Sequence, residues 1–210
     1  MEATREQRNR KVSTLTTRRR ALRSDAIANR ERLLDAAAVT IAERGMQVPM
    51  AEIAGRAKVG VGTLYRHFAT REELFAGLIQ RSLQSVLERA ETARGMPGEA
   101  IDAIGWFLRE TIAHRDQLIL PLHGAPPVID ERGAALQAKI RDALAGLLAR
   151  GSEDGTVRAE VTASDLITTG AMLAQPLANV DDWDIRADRQ TQIFLAGLRP
   201  PGAIRTKKSI

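Results

Sequence analysis

MAEIAGRAKVGVGTLYRHFATREELF, running from Met50 to Phe75, is the stretch on which the fold of this chain turns. Met50, Ile53, Ala54 and Ala57 recur on one helical face, so MAEIAGRA reads as a short helix. Pro49, at the end of the break GMQVPM, suits the first helical position. Three residues of turn follow, and VGTLYRHF then reads as a second short helix. Thr70 and Glu73 have capping-box spacing and open a longer helix. Its apolar stripe is Leu74, Phe75, Leu78, Ile79, Leu83, Val86 and Leu87, at i, i+4 spacing. Upstream, Ser24 is an N-cap type with Asp25 in the first turn. Ile27, Leu34, Ala38 and Ile41 continue that helix to Gly45, a natural C-terminal stop.

A long helix, a short helix, a tight turn and a second short helix make a helix-turn-helix unit on a supporting helix. Two short helices that cross steeply need small residues at the crossing, and Ala54 and Ala57 supply them. The second short helix must keep Val59, Leu64 and Phe68 inside while turning polar groups out. Its outer face offers Val61, Thr63, Tyr65, Arg66 and His67. Thr, Tyr, Arg and His donate to phosphates or base edges, and Val61 can meet a thymine methyl. Any three-helix miniature core can imitate this pattern, so the pattern alone leaves that alternative open.

The same residues closely resemble the DNA-binding segment of the TetR family of bacterial repressors. GTLYRHF followed by the capped T-R-E-E-L helix carries the likeness, which with the preceding helix covers about residues 24–80. The resemblance implies an all-α homodimer, with an N-terminal three-helix helix-turn-helix domain followed by a helical ligand-binding and dimerisation domain. It implies a recognition helix at about Val61–His67, with Val61, Gly62, Thr63, Tyr65 and His67 at DNA-facing positions and Arg71 near a phosphate. Arg66 joins them as a DNA-binding candidate from its place on the outer face. The expected boundaries are a basic disordered arm at 1–23, the DNA-binding domain at 24–70, the effector-binding and dimerisation domain at 71–198, and a disordered tail at 199–210.

Three positions depart from the family pattern. Gly60 stands where a Ser or Thr N-cap is common, which costs only a few tenths of a kcal/mol against a good cap. Lys58 occupies a turn position where Gly is common; if it is left-handed, strain of about 1 kcal/mol is expected. Ala51 replaces a frequent basic side chain and removes one phosphate contact. Other readings stand beside the DNA-facing ones. Tyr65 could be a core residue with a buried hydroxyl partner, His67 could satisfy carbonyls at a helix end, and Arg56 and Arg66 could be solvated charges. Arg71 sits at a helix N-terminus, where the macrodipole disfavours a cation, which favours a phosphate contact over a stability role.

Charge is unevenly spread. Residues 1–71 hold 15 Lys/Arg and 7 Asp/Glu, a net of +8, whereas residues 72–210 hold 16 and 19, a net of −3. A basic first third points to a polyanionic partner, nucleic acid before an anionic membrane surface. The opening residues, including RNRKVSTLTTRRR, have no apolar run and so no secretory signal. Their composition leaves open a solvated leader, an organellar transit peptide, and an arm that contacts DNA.

The chain has 210 residues, 44% of them apolar, enough to bury a real core in one large or two small domains. Aromatics at 3% against abundant Ala and Leu favour helices over a β-sandwich. The absence of cysteine excludes disulfides, Cys-bearing zinc sites, iron–sulfur clusters and thiol catalysis. The longest uncharged window, Leu166 to Val180, is shorter than a membrane span.

The second half also reads as helical. Helices are expected at about Glu99–His114, with Trp106 and Phe107, and over 128–150, stopped by Gly151. QLILPLHGAPP should break into short pieces at Pro121, Pro126 and Pro127. Thr162 and Asp165 cap a helix to about Val180 that is apolar on nearly all sides and carries the small residues Gly170, Ala174 and Ala178. A last helix spans about Ile185–Leu198. The final two helices fit the two-fold four-helix bundle that the resemblance implies, with Leu166, Gly170, Leu173, Ala174, Leu177, Ile193 and Phe194 at the dimer interface. Phe75, Trp106, Phe107, Leu118, Met172 and Gln175 are candidates for an effector pocket, with plain core packing as the alternative for each.

Catalytic chemistry is scarce. His67, His114 and His123 have no ligand spacing, so no metal is expected and no cofactor. Asp181, Asp182 and Asp184 beside Trp183 read as a solvated loop. VGVG at Val59–Gly62 belongs to the turn, not to a phosphate cradle. The expectation is a cytoplasmic bacterial regulator, nucleoid-associated when bound, and not an enzyme. It would bind a palindromic double-stranded operator as a homodimer and be released by an unknown small-molecule effector, without a membrane. The alternative is a DNA-binding dimer without a small effector, an activator or architectural protein.

Overall fold

A computed structural model describes residues 25–118, 129–177 and 180–201. Among the described residues every regular element is helical. In chain order these are α1 (residues 25–44), α2 (Met50–Arg56), α3 (Val61–His67), α4 (Arg71–Gly95), α5 (Ala100–Ala113), a 3-10 turn (Arg115–Gln117), α6 (Glu131–Glu153), α7 (Ala163–Leu173) and α8 (Trp183–Leu198). The Ser24 cap, the basic arm 1–23, the proline-broken segment 119–128 with His123, Ala178, and tail residues 202–210 lie outside the described residues. The chain divides into two compact units, residues 1–77 and 78–210, with the boundary inside α4.

In the first unit the core is built by Leu33, Leu34 and Ala37 of α1, Ile53 and Ala54 of α2, Leu64 of α3, Phe68 and Leu74, all essentially inaccessible. Burying a Leu or Phe side chain stabilises by about 1.5–3 kcal/mol. Ala54 of α2 and its C-cap Ala57 are both buried, so small side chains occupy the packed side of this helix. Gly45 ends α1 with φ +82°, a value that favours glycine, and its N–H donates to the Ile41 carbonyl at 2.8 Å. Pro49 is the N-cap of α2, with φ −64° and ψ 140°, rather than its first helical residue. Lys58, at φ 56°, is left-handed in the turn between α2 and α3, so the strain foreseen for it is present. The Arg30 guanidinium stacks 4.7 Å above the Phe68 ring. Gly77 lets that pair approach, since a Cβ there would lie 3.0 Å from the ring.

The second unit packs α6, α7 and α8 around α5. Ile104 and Leu108 of α5, Leu144 and Leu147 of α6, and Leu166 of α7 have no accessible surface. Cutting any of these leucines to alanine should cost about 2–5 kcal/mol. α6 starts at Glu131 rather than 128 and α8 at Trp183 rather than about Ile185, and two C-terminal ends also differ from expectation. Gly151 does not stop α6, which runs on to Glu153. Its hydrogen faces Val157, whose Cγ2 would sit 2.6 Å from an added Cβ, so the glycine permits chain reversal; the stop is Gly155, at φ +71°. Similarly, α7 ends at Leu173 and not near Val180. Pro176 explains this: its ring clashes with the carbonyl four residues back and disfavours helix at Gln175. The Thr162–Asp165 capping box forms as the spacing predicts.

The end of α6 ties down the start of α5. Asp154 accepts from the Ala100 N–H at 2.8 Å and so satisfies the first turn of α5, whose N-cap, Glu99, makes no side-chain capping bond. Arg150 donates to the Arg94 and Met96 carbonyls, each at 2.9 Å. Burial pushes the Asp154 carboxyl upward, but hydrogen bonds from Thr156 and from the Ala100 N–H, together with the Arg150 charge, outweigh it and hold the group below its ordinary value.

Candidate nucleic-acid interface and ligand cavity

The outer face of α3 is open. Leu64 is the residue this helix buries, while Val61 is 41% and Tyr65 48% exposed, with Gly62 and Arg66 exposed beside them. Thr63 and His67 are half-buried at the edges. Tyr65 is therefore not a core residue. Gly60 caps α3 without a side-chain bond, and Val59 is half-buried, less enclosed than its assignment to the core implied. Among the described residues the Arg66 guanidinium has no ion-pair partner, so its charge is free for an anion.

Besides Arg30, three further basic residues of the unit have structural work. Arg56 forms a two-pronged ion pair with Glu43, and Arg44 meets Glu52 at 3.0 Å, so both pairs join α1 to α2. The hydrogen bond from Arg56 holds the Glu43 carboxyl below its ordinary value and raises the guanidinium in return. Arg71, expected near a phosphate, also has a structural contact within the unit. Its guanidinium is partly buried and donates to the carbonyls of Met46 and Val48 in the loop before α2. Nearby, Thr70 accepts from the Glu73 N–H at 3.1 Å, while Glu73 reaches back to the Ala69 N–H at 2.7 Å, one residue beyond a standard capping box.

The second unit contains a cavity of about 340 Å³, a size that suits a small ligand. Of the effector-pocket candidates, Phe107 and Met172 line it. Phe75, Trp106, Leu118 and Gln175 do not: Phe75 is buried within the first unit, and Trp106 packs partly buried on the core. Leu83 and Val86 of α4, Thr111 of α5, Gln137, Ile140 and Arg141 of α6, and Ile167, Thr168 and Ala171 of α7 complete the wall. The spacing of 137, 140 and 141 on one helical face is the signal that could have found the α6 side.

Leu166 and Gly170 also line this cavity, which corrects their assignment to a dimer interface. Together with Ala174 they are buried within a single copy of the chain, and a Cβ on Gly170 would lie 3.3 Å from Leu108. Gly170 of α7 and its C-cap Ala174 serve the subunit's own core. Leu177 and Ile193 remain exposed, at 63% and 54%, with Met172 and Ile185 also exposed and Leu173 and Phe194 half-buried. Trp183 fixes the start of α8 by donating its indole N–H to the Leu173 carbonyl at 2.9 Å. The aspartate cluster does not form a solvated loop throughout: Asp184 lies in α8 and pairs with Arg115. No group of three His, Asp or Glu able to hold a metal occurs among the described residues, and no described helix is long and apolar enough to cross a membrane.

Comparison with known proteins places this geometry. Residues 33–78 match the family model of bacterial regulatory proteins of the tetR family, and residues 99–200 that of the SbtR-like transcriptional regulator C-terminal domain. The TetR transcription regulatory protein of Mycobacterium vanbaalenii is 30% identical, covering 85% of this chain and 99% of its own, with a TM-score of 0.61. The chain belongs to the TetR family. It is thus a transcriptional regulator by family rather than an enzyme. An HTH-type transcriptional regulator of Staphylococcus aureus is 39% identical over 67 residues, which is 31% of this chain and 36% of that relative, so the likeness spans about a third of the curated protein. FadR of Bacillus subtilis, solved in complex with stearoyl-CoA, shares the TetR fold at 18% identity over 80% of this chain and 99% of its own, with a TM-score of 0.63.

Proposed function

We propose that this TetR-family chain is a repressor that binds a palindromic operator as a homodimer and is released by a small molecule held in the second unit. The open face of α3 carries the reading. A helix that buries only Leu64 and shows Val61, Tyr65 and Arg66 to solvent gains little stability from those residues, and they suit base edges and phosphates. The net +8 of residues 1–71 supplies the long-range attraction. Arg71 belongs to the frame that presents α3, and its remaining donors are available to a phosphate.

The exposed apolar side chains Leu177, Ile185 and Ile193 support a two-fold contact, which a half-site reader needs in order to span successive major grooves. The cavity supports the effector, and a ligand there would change the spacing of the two recognition helices. Operator binding measured across a salt series tests the core of this. Neutralising roughly six to ten phosphates per dimer should make log K fall steeply with log salt. A nearly flat dependence would remove the DNA-binding assignment.

A further inference from the structure

Resting on the cavity as the effector site, we infer that its ligand is a small amphipathic anion, a carboxylate on an apolar body of about ten heavy atoms. The wall is mostly hydrocarbon and aromatic, from Leu83, Val86, Phe107, Ile140 and Leu166. Arg141 is the one ionisable lining residue among those described, and no acidic side chain lines the cavity. Its guanidinium has no ion-pair partner among the described residues, and it is exposed, so it marks a wet mouth rather than the floor. Gln137, one helical turn earlier, lies on the same face of α6 and adds a neutral donor. A carboxylate matches the planar fork of an arginine, whereas an ammonium head would meet an unopposed positive charge. The volume of about 340 Å³, at the small end of ligand pockets, suits a body of this order rather than a larger one.

Octanoate, 1-octanol and octylammonium share one tail length and differ in head charge, so calorimetry on the full chain separates the contributions. Octanoate should bind once per chain and roughly fivefold more tightly than octanol, a modest factor because the arginine is exposed. Octylammonium should bind most weakly. Arg141→Gln, on the helix surface and so not expected to disturb folding, should bring octanoate down to the octanol affinity while leaving octanol unchanged. Ala171→Phe should fill the cavity and remove both. Equal binding of octanoate and octanol, or an Arg141→Gln variant indistinguishable from wild type, overturns the anionic ligand and leaves an apolar site. Octanoate binding that survives Ala171→Phe places the ligand elsewhere and overturns the inference. Octanoate that binds as expected but does not release the protein from its operator overturns the release mechanism alone. Failure of all three molecules to bind overturns the inference and leaves the operator reading to the salt series.

Discussion

Arg71 donates through Nη2 to the carbonyl oxygen of Val48 at 2.7 Å, joining the first residue of α4 to the loop that feeds α2. A second bond, from Nη1 to the Met46 carbonyl at 3.0 Å, makes the contact a clasp. The helix macrodipole disfavours a cation at this end, and two carbonyl acceptors offset that cost. The arginine thus ties the start of α4 to the entry of the helix-turn-helix.

Replacing the clasp should therefore act on stability. Arg71→Leu is expected to lose about 2 kcal/mol, since hydrogen bonds from a charged donor contribute about 1.5–3 kcal/mol. Urea unfolding followed by helical signal measures it. An unchanged midpoint with weakened operator binding would assign Arg71 to phosphate alone.

Tyr65→Phe separates reading from folding. At 48% exposure the ring lies on the surface of α3, so stability should stay within about 0.5 kcal/mol of wild type. Operator affinity should fall by about 1 kcal/mol through the lost hydroxyl. A thermal melt and a titration of labelled operator decide it; a sharp loss of stability with intact binding would contradict the exposed placement.

Ile193→Asp tests the two-fold contact. In one copy the side chain is 54% exposed, so an aspartate there leaves the subunit fold intact. In a dimer the two-fold sets an unpaired carboxylate into the interface from both sides, at a cost of several kcal/mol. The expected product is a helical monomer by sedimentation, retaining weak non-specific DNA binding and losing operator affinity. A variant that remains dimeric shows that Ile193 faces elsewhere.

Asp154 gives the second unit an acid-sensitive tie. Its carboxyl is held below the ordinary value, so its stabilising contribution is complete above that ordinary value and is lost as pH falls through the lower folded one. Asp154→Ala should cost about 1 kcal/mol at neutral pH, like the loss of a helix cap. The gap between variant and wild type should narrow in acid. A gap that is constant across the carboxylate range would assign the effect to packing.

What could be read without coordinates follows the range of each interaction. Gly45, the Thr162–Asp165 box and the outer face of α3 are legible because each depends on residues within one or two turns. Gly151 misleads because the atom that demands glycine, Val157 Cγ2, arrives only after the chain reverses. An apolar helix such as α7 states that it is buried but not by what, so Leu166 and Gly170 read equally well as interface or as core. Arg71 is opaque for the same reason: its acceptors are backbone carbonyls 23 and 25 residues away, which no side-chain pattern announces. The arginine of the cavity, Arg141, looks from its own helix like any surface cation.

The two tryptophans, Trp106 and Trp183, both belong to the second unit, and the chain's one tyrosine, Tyr65, stands on the open face of α3. Indole fluorescence excited on its red edge therefore comes from the second unit alone, with Trp183 reporting on the α7–α8 junction it bonds. The phenol signal comes from the helix proposed to meet DNA. The protein carries two optical channels in its native sequence, one for each compact unit, and loosening of the first unit leaves the indole channel without a chromophore of its own to lose.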